Sequence, residues 1–129
     1  MSETMVVLDR SRVREGKLED LKRAVEELAE FVAANEPRPI SYNVYFNDDG
    51  SEMVVLQVHP DAASMEHHMR IAGPAFPTFA GLVELRSIEV FGSPSEALLD
   101  LIRHKIELLG DATVMIHEHR AGFDRHTER

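Results

Sequence analysis

The chain has 129 residues, with 14 Lys and Arg against 23 Asp and Glu, a formal net charge of −9, no cysteine and no tryptophan. That length suits a single domain with its own core, and the charge argues against nucleic acid or an anionic membrane as partner. The lack of cysteine excludes disulfides and thiolate chemistry and points to a reducing, cytoplasmic setting, while no apolar run approaches the ~18 residues of a membrane span and the first dozen residues lack a signal-peptide layout.

The run Met5-Val6-Val7-Leu8 predicts a strand from about Thr4 to Arg12. Arg10, Arg12 and Arg14 share one face of that extended chain. They read first as solvated charge at a strand end and second as an anion site. Beyond Gly16, Leu18, Leu21, Val25, Leu28 and Val32 recur at steps of three and four, which predicts an amphipathic helix. Asn35, Pro37 and Pro39 stop it.

Ile40 to His59 then predicts a β-hairpin around a three-residue turn, Asp48-Asp49-Gly50, with Gly50 in the left-handed conformation. That turn pairs Phe46 with Glu52, Val44 with Val54 and Tyr42 with Leu56. One face then carries Ile40, Tyr42, Val44, Phe46, Val54, Leu56 and Val58 and is expected to be the core face. The other carries Ser41, Asn43, Tyr45, Met53, Val55, Gln57 and His59, a mixture suited to a pocket wall or a subunit interface.

Asp61 is a good N-cap for a second helix, Ala62 to about Ala72, with an apolar stripe of Ala62, Met65, Met69 and Ala72 and with His68 on its edge. Gly73-Pro74 breaks it. Ala75-Phe76-Pro77-Thr78-Phe79 reads as a short helical or irregular piece, and a strand is expected from about Val83 to Phe91. The order β-α-β-β-α-β predicts an α+β, ferredoxin-like domain: an antiparallel sheet with two helices on one face. The bare face of such a sheet needs a cover, for which a second copy of the chain is the natural candidate.

A C-terminal α-β extension follows. Ser93-Pro94-Ser95-Glu96 reads as a capping box with Pro94 at the first helical position. Leu98, Leu101, Ile102, Lys105, Ile106 and Leu109 form the helix stripe, and Gly110 caps its end. Ala112 to His119 alternates as a fifth strand, expected to bury Val114 and Ile116 and free to pair with its own sheet or a partner's. The chain is therefore read as one domain over residues 1–119, with a core at 5–91 and an extension at 93–119. Residues 120–129 form a polar tail in which Phe123 is the candidate anchor.

Several of these pieces together resemble the antibiotic biosynthesis monooxygenase-like family of dimeric α/β barrels. They are Gly16 opening the first helix, Ile40-Ser41-Tyr42-Asn43-Val44-Tyr45, Asp61 starting the second helix, His68-Met69, and Ala75-Phe76-Pro77-Thr78-Phe79. The resemblance spans about Met5 to Phe91. It implies a homodimer whose sheets pack face to face, and a ligand cavity between each sheet and its own helices. Where the family often carries an acidic residue and a tryptophan near the end of the third strand, this chain has Gln57 and His59. Of the residues used by the haem-degrading branch only His68 has a counterpart. Cofactor-free, quinone-forming members use asparagine, tryptophan, tyrosine and arginine around a phenolic substrate, and Asn43, Tyr45 and Arg86 correspond to parts of that set.

The candidate chemistry centres on His68. A histidine near its ordinary pKa can take a phenolic proton and leave an anion able to reduce dioxygen. The competing reading is a core-rim histidine bonded to backbone. Asn43 and Tyr45 share a face and could hydrogen-bond an oxyanion, or pack in a dimer interface. Arg86 is an anion clamp or a surface strand residue. Met65, Phe76 and Phe79 line an apolar pocket or fill the core. His117 and His119 point the same way and can begin a metal site, but a third ligand (His59 or Glu89) would be needed; no metal and no cofactor is expected. The functional expectation is a cofactor-independent, monooxygenase-like enzyme acting on a small apolar or aromatic metabolite. The alternative is a non-catalytic dimeric module for small-molecule binding or assembly.

Overall fold

A computed structural model describes residues 3–125. The elements are β1 (Met5–Val13), α1 (Leu18–Asn35), β2 (Ser41–Phe46), β3 (Glu52–His59), α2 (Ala62–Ala72), a 3-10 turn (Gly73–Ala75), α3 (Phe76–Phe79), β4 (Val83–Phe91), α4 (Glu96–Leu109) and β5 (Thr113–His117). The strands form one sheet in the order β2-β3-β1-β4-β5. All pairs are antiparallel except β4 with β5. This is the ferredoxin-like α+β plan with an added α-β unit, and the fifth strand joins its own chain's sheet. Among the described residues no helix is long and apolar enough to cross a membrane.

The helices cover one face of the sheet. Leu21, Val25 and Val32 of α1, Met65, Met69 and Ala72 of α2, Phe76 and Phe79 of α3, and Leu98, Ile102 and Leu109 of α4 are all buried there. Their sheet-side partners follow the period of two. Met5 and Val7 on β1 and Val83 and Leu85 on β4 point inward. On β4 the phase then changes: Arg10 pairs with Ser87 but Ser11 with Leu85, so Arg86 is an extra, unpaired residue. This β-bulge returns Ile88 and Val90 to the core and leaves Arg86 outside, 3.7 Å from Glu84.

The hairpin register differs from expectation by one residue. The loop between the paired residues Asn47 and Glu52 holds four residues, Asp48 to Ser51, not three. The side chains of the loop decide this. Asn47 Oδ1 accepts the Glu52 N–H at 2.9 Å, and Asp49 Oδ1 accepts the Ser51 N–H at 2.9 Å. Gly50 keeps its positive φ of 73°, and a Cβ there would meet Leu18 Cδ2 at 2.6 Å. With one more loop residue, Val44 faces Val55 and Tyr42 faces Gln57. A shift of one residue exchanges the faces of the whole strand. Met53, Val55, Gln57 and His59 therefore point into the core with Tyr42, Val44 and Phe46, while Val54, Leu56 and Val58 turn outward with Asn43 and Tyr45.

Three details of the extension also differ. Ser95, not Pro94, stands at the start of α4, its hydroxyl accepting the Leu98 N–H at 3.0 Å. Pro94 precedes the cap, where its missing N–H costs nothing. Val114 packs against the core, but Ile116 is 46% exposed, because β5 is the last strand and has a neighbour on one side only. Phe123 is 76% exposed beneath the Arg125 guanidinium and anchors nothing. The rest of the expected tail, residues 126–129, lies outside the described residues.

Candidate functional site

A small cavity lies between the sheet and its helices. Its room for water-sized molecules is about 40 Å³. That is space for one to three waters by the usual measures. Val25 and Leu28 of α1, Phe76 and Phe79 of α3, and Val83 and Leu85 of β4 make its walls apolar. Set into these walls are polar groups from five other places in the chain: Asp9 and Ser11 on β1, Tyr42 on β2, Gln57 on β3, His68 on α2 and Lys105 on α4.

His68 is buried and its Nδ1 lies 3.0 Å and 3.1 Å from the two carboxylate oxygens of Glu36. Nδ1 therefore carries a proton and donates it to the carboxylate, since Glu36 can only accept. Pro37 accounts for the position of Glu36. A residue before proline is driven out of helical geometry, and Glu36 leaves α1 with φ −124° and ψ 103°, its side chain entirely withdrawn from solvent against α2. Among the described residues no group bonds His68 Nε2. Because no fully buried side-chain nitrogen or oxygen among the described residues lacks a partner, Nε2 opens on the cavity. The pair has the form of a carboxylate that fixes an imidazole tautomer and leaves the second nitrogen as a base.

Behind His68 a second histidine is locked. His59 is completely buried, with its ring 6.1 Å from that of His68. His59 Nε2 donates to Gln57 Oε1 at 2.9 Å, and the Ser64 hydroxyl donates to Nδ1 at 2.7 Å. The bond from Ser64 to Nδ1 is that of the neutral ring; a charged ring would donate to the Ser64 oxygen instead. Burial first, and the adjacent His68 second, hold its pKa down at about 4, against smaller upward pulls from Glu36 and Asp61. Ser64 is itself placed by the helix cap, where Asp61 Oδ1 accepts its N–H at 2.9 Å and Arg38 grips the other oxygen of Asp61.

Tyr42 packs its ring against His68, centroids 5.4 Å apart and planes tilted by 52°. Its phenol pKa is raised above the ordinary value, mainly by burial and then by the carboxylates of Asp9 and Glu36. Tyr42 is thus a neutral O–H donor at the cavity. Opposite, Lys105 Nζ donates to Asp9 Oδ2 at 3.1 Å and sits 4.9 Å from the centre of the Phe76 ring.

Of the residues singled out from sequence, His68, Phe76 and Phe79 meet at the cavity. Met65 is buried in the adjoining core but does not line it. Asn43, Tyr45 and Arg86 stand on the outer side of the sheet, Tyr45 being 52% exposed, so the structure separates them from His68. His117 and Glu89 do come together, with Nε2 3.0 Å from Oε1 and the imidazole stacked on Phe91. His59 is buried elsewhere, and no cluster of three metal-ligating side chains is gathered among the described residues. The residues that sequence reasoning missed are Glu36, Asp9, Lys105, Tyr42 and Gln57. Two had a readable sign: Asp9 interrupts the inward alternation of Met5, Val7 and Val13, and Lys105 lies inside the apolar stripe of α4.

Fold and site together define a ferredoxin-like α+β domain with a small, mixed polar–apolar cavity and a buried carboxylate–histidine pair. The sequence pattern of the antibiotic biosynthesis monooxygenase family matches residues 4–76, more than half of the chain. The chain belongs to that family. No curated protein matches it by sequence. Among solved structures it is similar to MupZ from Pseudomonas fluorescens, with 21% identity and a TM-score of 0.73 over 97% of this chain and 91% of that one. That span takes in α4 and β5. It is also similar to a conserved protein from Methanosarcina mazei Go1, with 21% identity and a TM-score of 0.61 over 67% and 89% of the two chains. A third is SnoaB, a cofactor-independent oxygenase from Streptomyces nogalater, with 15% identity and a TM-score of 0.61 over 73% and 96%. At these identities the likeness is one of fold.

Proposed function

We propose that the protein is a cofactor-independent, monooxygenase-like enzyme acting on a small apolar or aromatic metabolite, with His68 as its general base. One observation carries this reading: the buried Glu36–His68 pair leaves Nε2 free and facing the cavity. A phenol, or a methylene made acidic by a neighbouring carbonyl, gives its proton to Nε2 and becomes an electron-rich anion. That anion reduces dioxygen directly. One oxygen atom replaces the two hydrogens of the carbon as a carbonyl, and the other leaves as water, so the substrate supplies all the electrons. Family membership and the fold shared with SnoaB support the same reading.

The cavity as it stands does not admit an aromatic ring, so a wall must move. Leu28 and Phe79 also line an outer groove of about 390 Å³ between α1 and the turn after α2, and these two side chains are all that both spaces share. We place substrate entry there. The test is oxygen uptake with anthrone in air-saturated buffer, with anthraquinone and water as products. The wild type should turn over, and His68→Gln should lose on the order of 10²-fold or more in kcat. Equal turnover by the variant, or binding of anthrone with no turnover by the wild type, overturns the catalytic reading, and the latter result favours a non-catalytic small-molecule binder.

We further propose that the outer sheet face joins a second copy of the chain. Val54, Leu56 and Val58 lie there, with Tyr45 among the most exposed large apolar side chains. Light scattering should give twice the monomer mass, and Tyr45→Glu should shift it toward the monomer. A wild-type monomer at micromolar concentration refutes this.

A further inference from the structure

The lysine in the cavity wall stands where packing alone calls for an apolar side chain. Lys105 occupies a core-facing position of α4, between Ile102 and Leu109, and its side chain is only 10% exposed. A well-packed apolar residue in such a place is generally as stabilising as a buried ion pair, or more so. Its ammonium has three N–H donors. One goes to Asp9 Oδ2, and the charge rests over the Phe76 ring. No other acceptor among the described residues bonds it, and Lys105 lines the cavity.

The remaining polar groups have the same bias. Tyr42, Ser11 and Gln57 line the cavity, and the Tyr42 hydroxyl, the Ser11 hydroxyl and the Gln57 amide N–H groups have no acceptor among the described residues, while the Gln57 carbonyl is already taken by His59. Against these donors stand two acceptors, His68 Nε2 and the second oxygen of Asp9. The charged and titratable groups around the space are Asp9 on β1, Tyr42 on β2, His68 on α2 and Lys105 on α4, with Glu36 and His59 behind His68. A neutral acid entering such a site passes its proton to His68, within the Glu36 pair, and its anion meets the donors. The charge of the whole site is unchanged by that transfer.

We propose that Lys105, held in place by Asp9, is the anion-binding residue of the cavity, so that the site selects neutral molecules with an acidic O–H, phenols or enols, and binds them as their anions. This rests on the reading of His68 as a base but makes a separate claim. The C-terminal extension, outside the family's matched segment, would then supply a substrate-binding group and not merely a cover.

The probe is 4-nitrophenol, whose anion absorbs in the visible. The pKa of the bound probe is read by titrating absorbance at saturating protein. The wild type should bind it and lower its pKa by about one unit or more, as a cation within a few ångströms does. Removing Lys105 alone strands Asp9 and endangers folding, so the decisive variant is the neutral pair Asp9→Asn with Lys105→Met. That protein should bind the neutral probe but lose the lowering, a roughly tenfold fall in the ionised fraction below the midpoint. Lys105→Arg should keep it. If the neutral pair ionises the probe as the wild type does, or if the wild type binds no probe, the proposal is overturned. His68→Gln separates the two claims. If it abolishes ionisation while the neutral pair does not, the base stands and the role of Lys105 falls. If it leaves the lowered pKa intact while the neutral pair removes it, Lys105 stands and the base falls.

Discussion

Acidification from pH 7 to pH 5 should destabilise this protein through His59. The native fold holds the ring neutral, because the site is closed to water and His68 lies beside it. Its pKa is therefore about 4, against 6.5 as the ordinary value. The unfolded chain takes up the proton near 6.5 while the native chain refuses it until about 4. Stability is thus fully present above 6.5, falls as the pH drops through that window, and levels off below 4. Integrating between pH 7 and pH 5 gives a loss of about 2 kcal/mol from this residue alone. For a chain of this size that corresponds to roughly 5–10 °C in Tm. The window stays above the ordinary carboxylate range, so the loss is not confused with acid titration of Asp and Glu. The assay is urea unfolding followed by circular dichroism at each pH, for the wild type and for His59→Gln. The variant has its own fixed cost from the broken bonds, but its stability should be flatter over the same range. Parallel pH profiles for the two proteins would refute the assignment.

Three further outcomes follow from the same geometry. Glu36→Gln keeps an acceptor for His68 but no longer enforces the tautomer that frees Nε2, so anthrone turnover should fall by about 10²-fold or more with little change in substrate affinity. Oxygen-electrode kinetics read this as a loss in kcat. Phe79→Leu thins the wall between the cavity and the outer groove. Stopped-flow mixing with 4-nitrophenol should show faster association, with equilibrium affinity changed less than the rate, and an unchanged rate places entry elsewhere. Gly110→Ala should cost about 2 kcal/mol or more, because φ there is +148° and the new Cβ would stand 2.8 Å from the backbone N and O of Leu85. Thermal unfolding checks it, and a variant as stable as the wild type would mean that the α4–β5 connection yields easily.

The fold was legible where its cause is local. The α1 stripe, the Asp61 cap and the Gly110 stop each act within a few residues, and each element lies where its pattern puts it. The hairpin register was not legible from residue types alone, because Asp48-Asp49-Gly50 suits a three-residue turn as well as part of a four-residue one. What selects the longer loop is a pair of side-chain bonds from Asn47 and Asp49 that close only once the strands are in place. The consequence is large for one residue of error. It moved Gln57 and His59 from an imagined outer face to the inner one, and with them the second layer behind the site. The bulge at Arg86 had a visible trace, since the inward residues step from Leu85 to Ile88 and break the period of two.

The site itself was half legible for a different reason. His68 stands out as a polar residue on the edge of an apolar stripe, and Phe76 and Phe79 as aromatic residues after a helix break. Their partners do not stand out. Glu36 is 32 residues from His68, and Asp9 is 96 residues from Lys105. Neither distance is a spacing that helix or strand periodicity can encode. What sequence can offer is the anomaly, a charge where packing calls for an apolar side chain: Asp9 among Met5, Val7 and Val13, and Lys105 among Leu98, Ile102 and Leu109. A buried charge is costly unless its opposite is buried beside it. Two such anomalies of opposite sign in one small domain therefore imply each other. The pair they form lies in the wall of the cavity that His68 lines, so the extension and the first strand are joined at the point where the chemistry would occur.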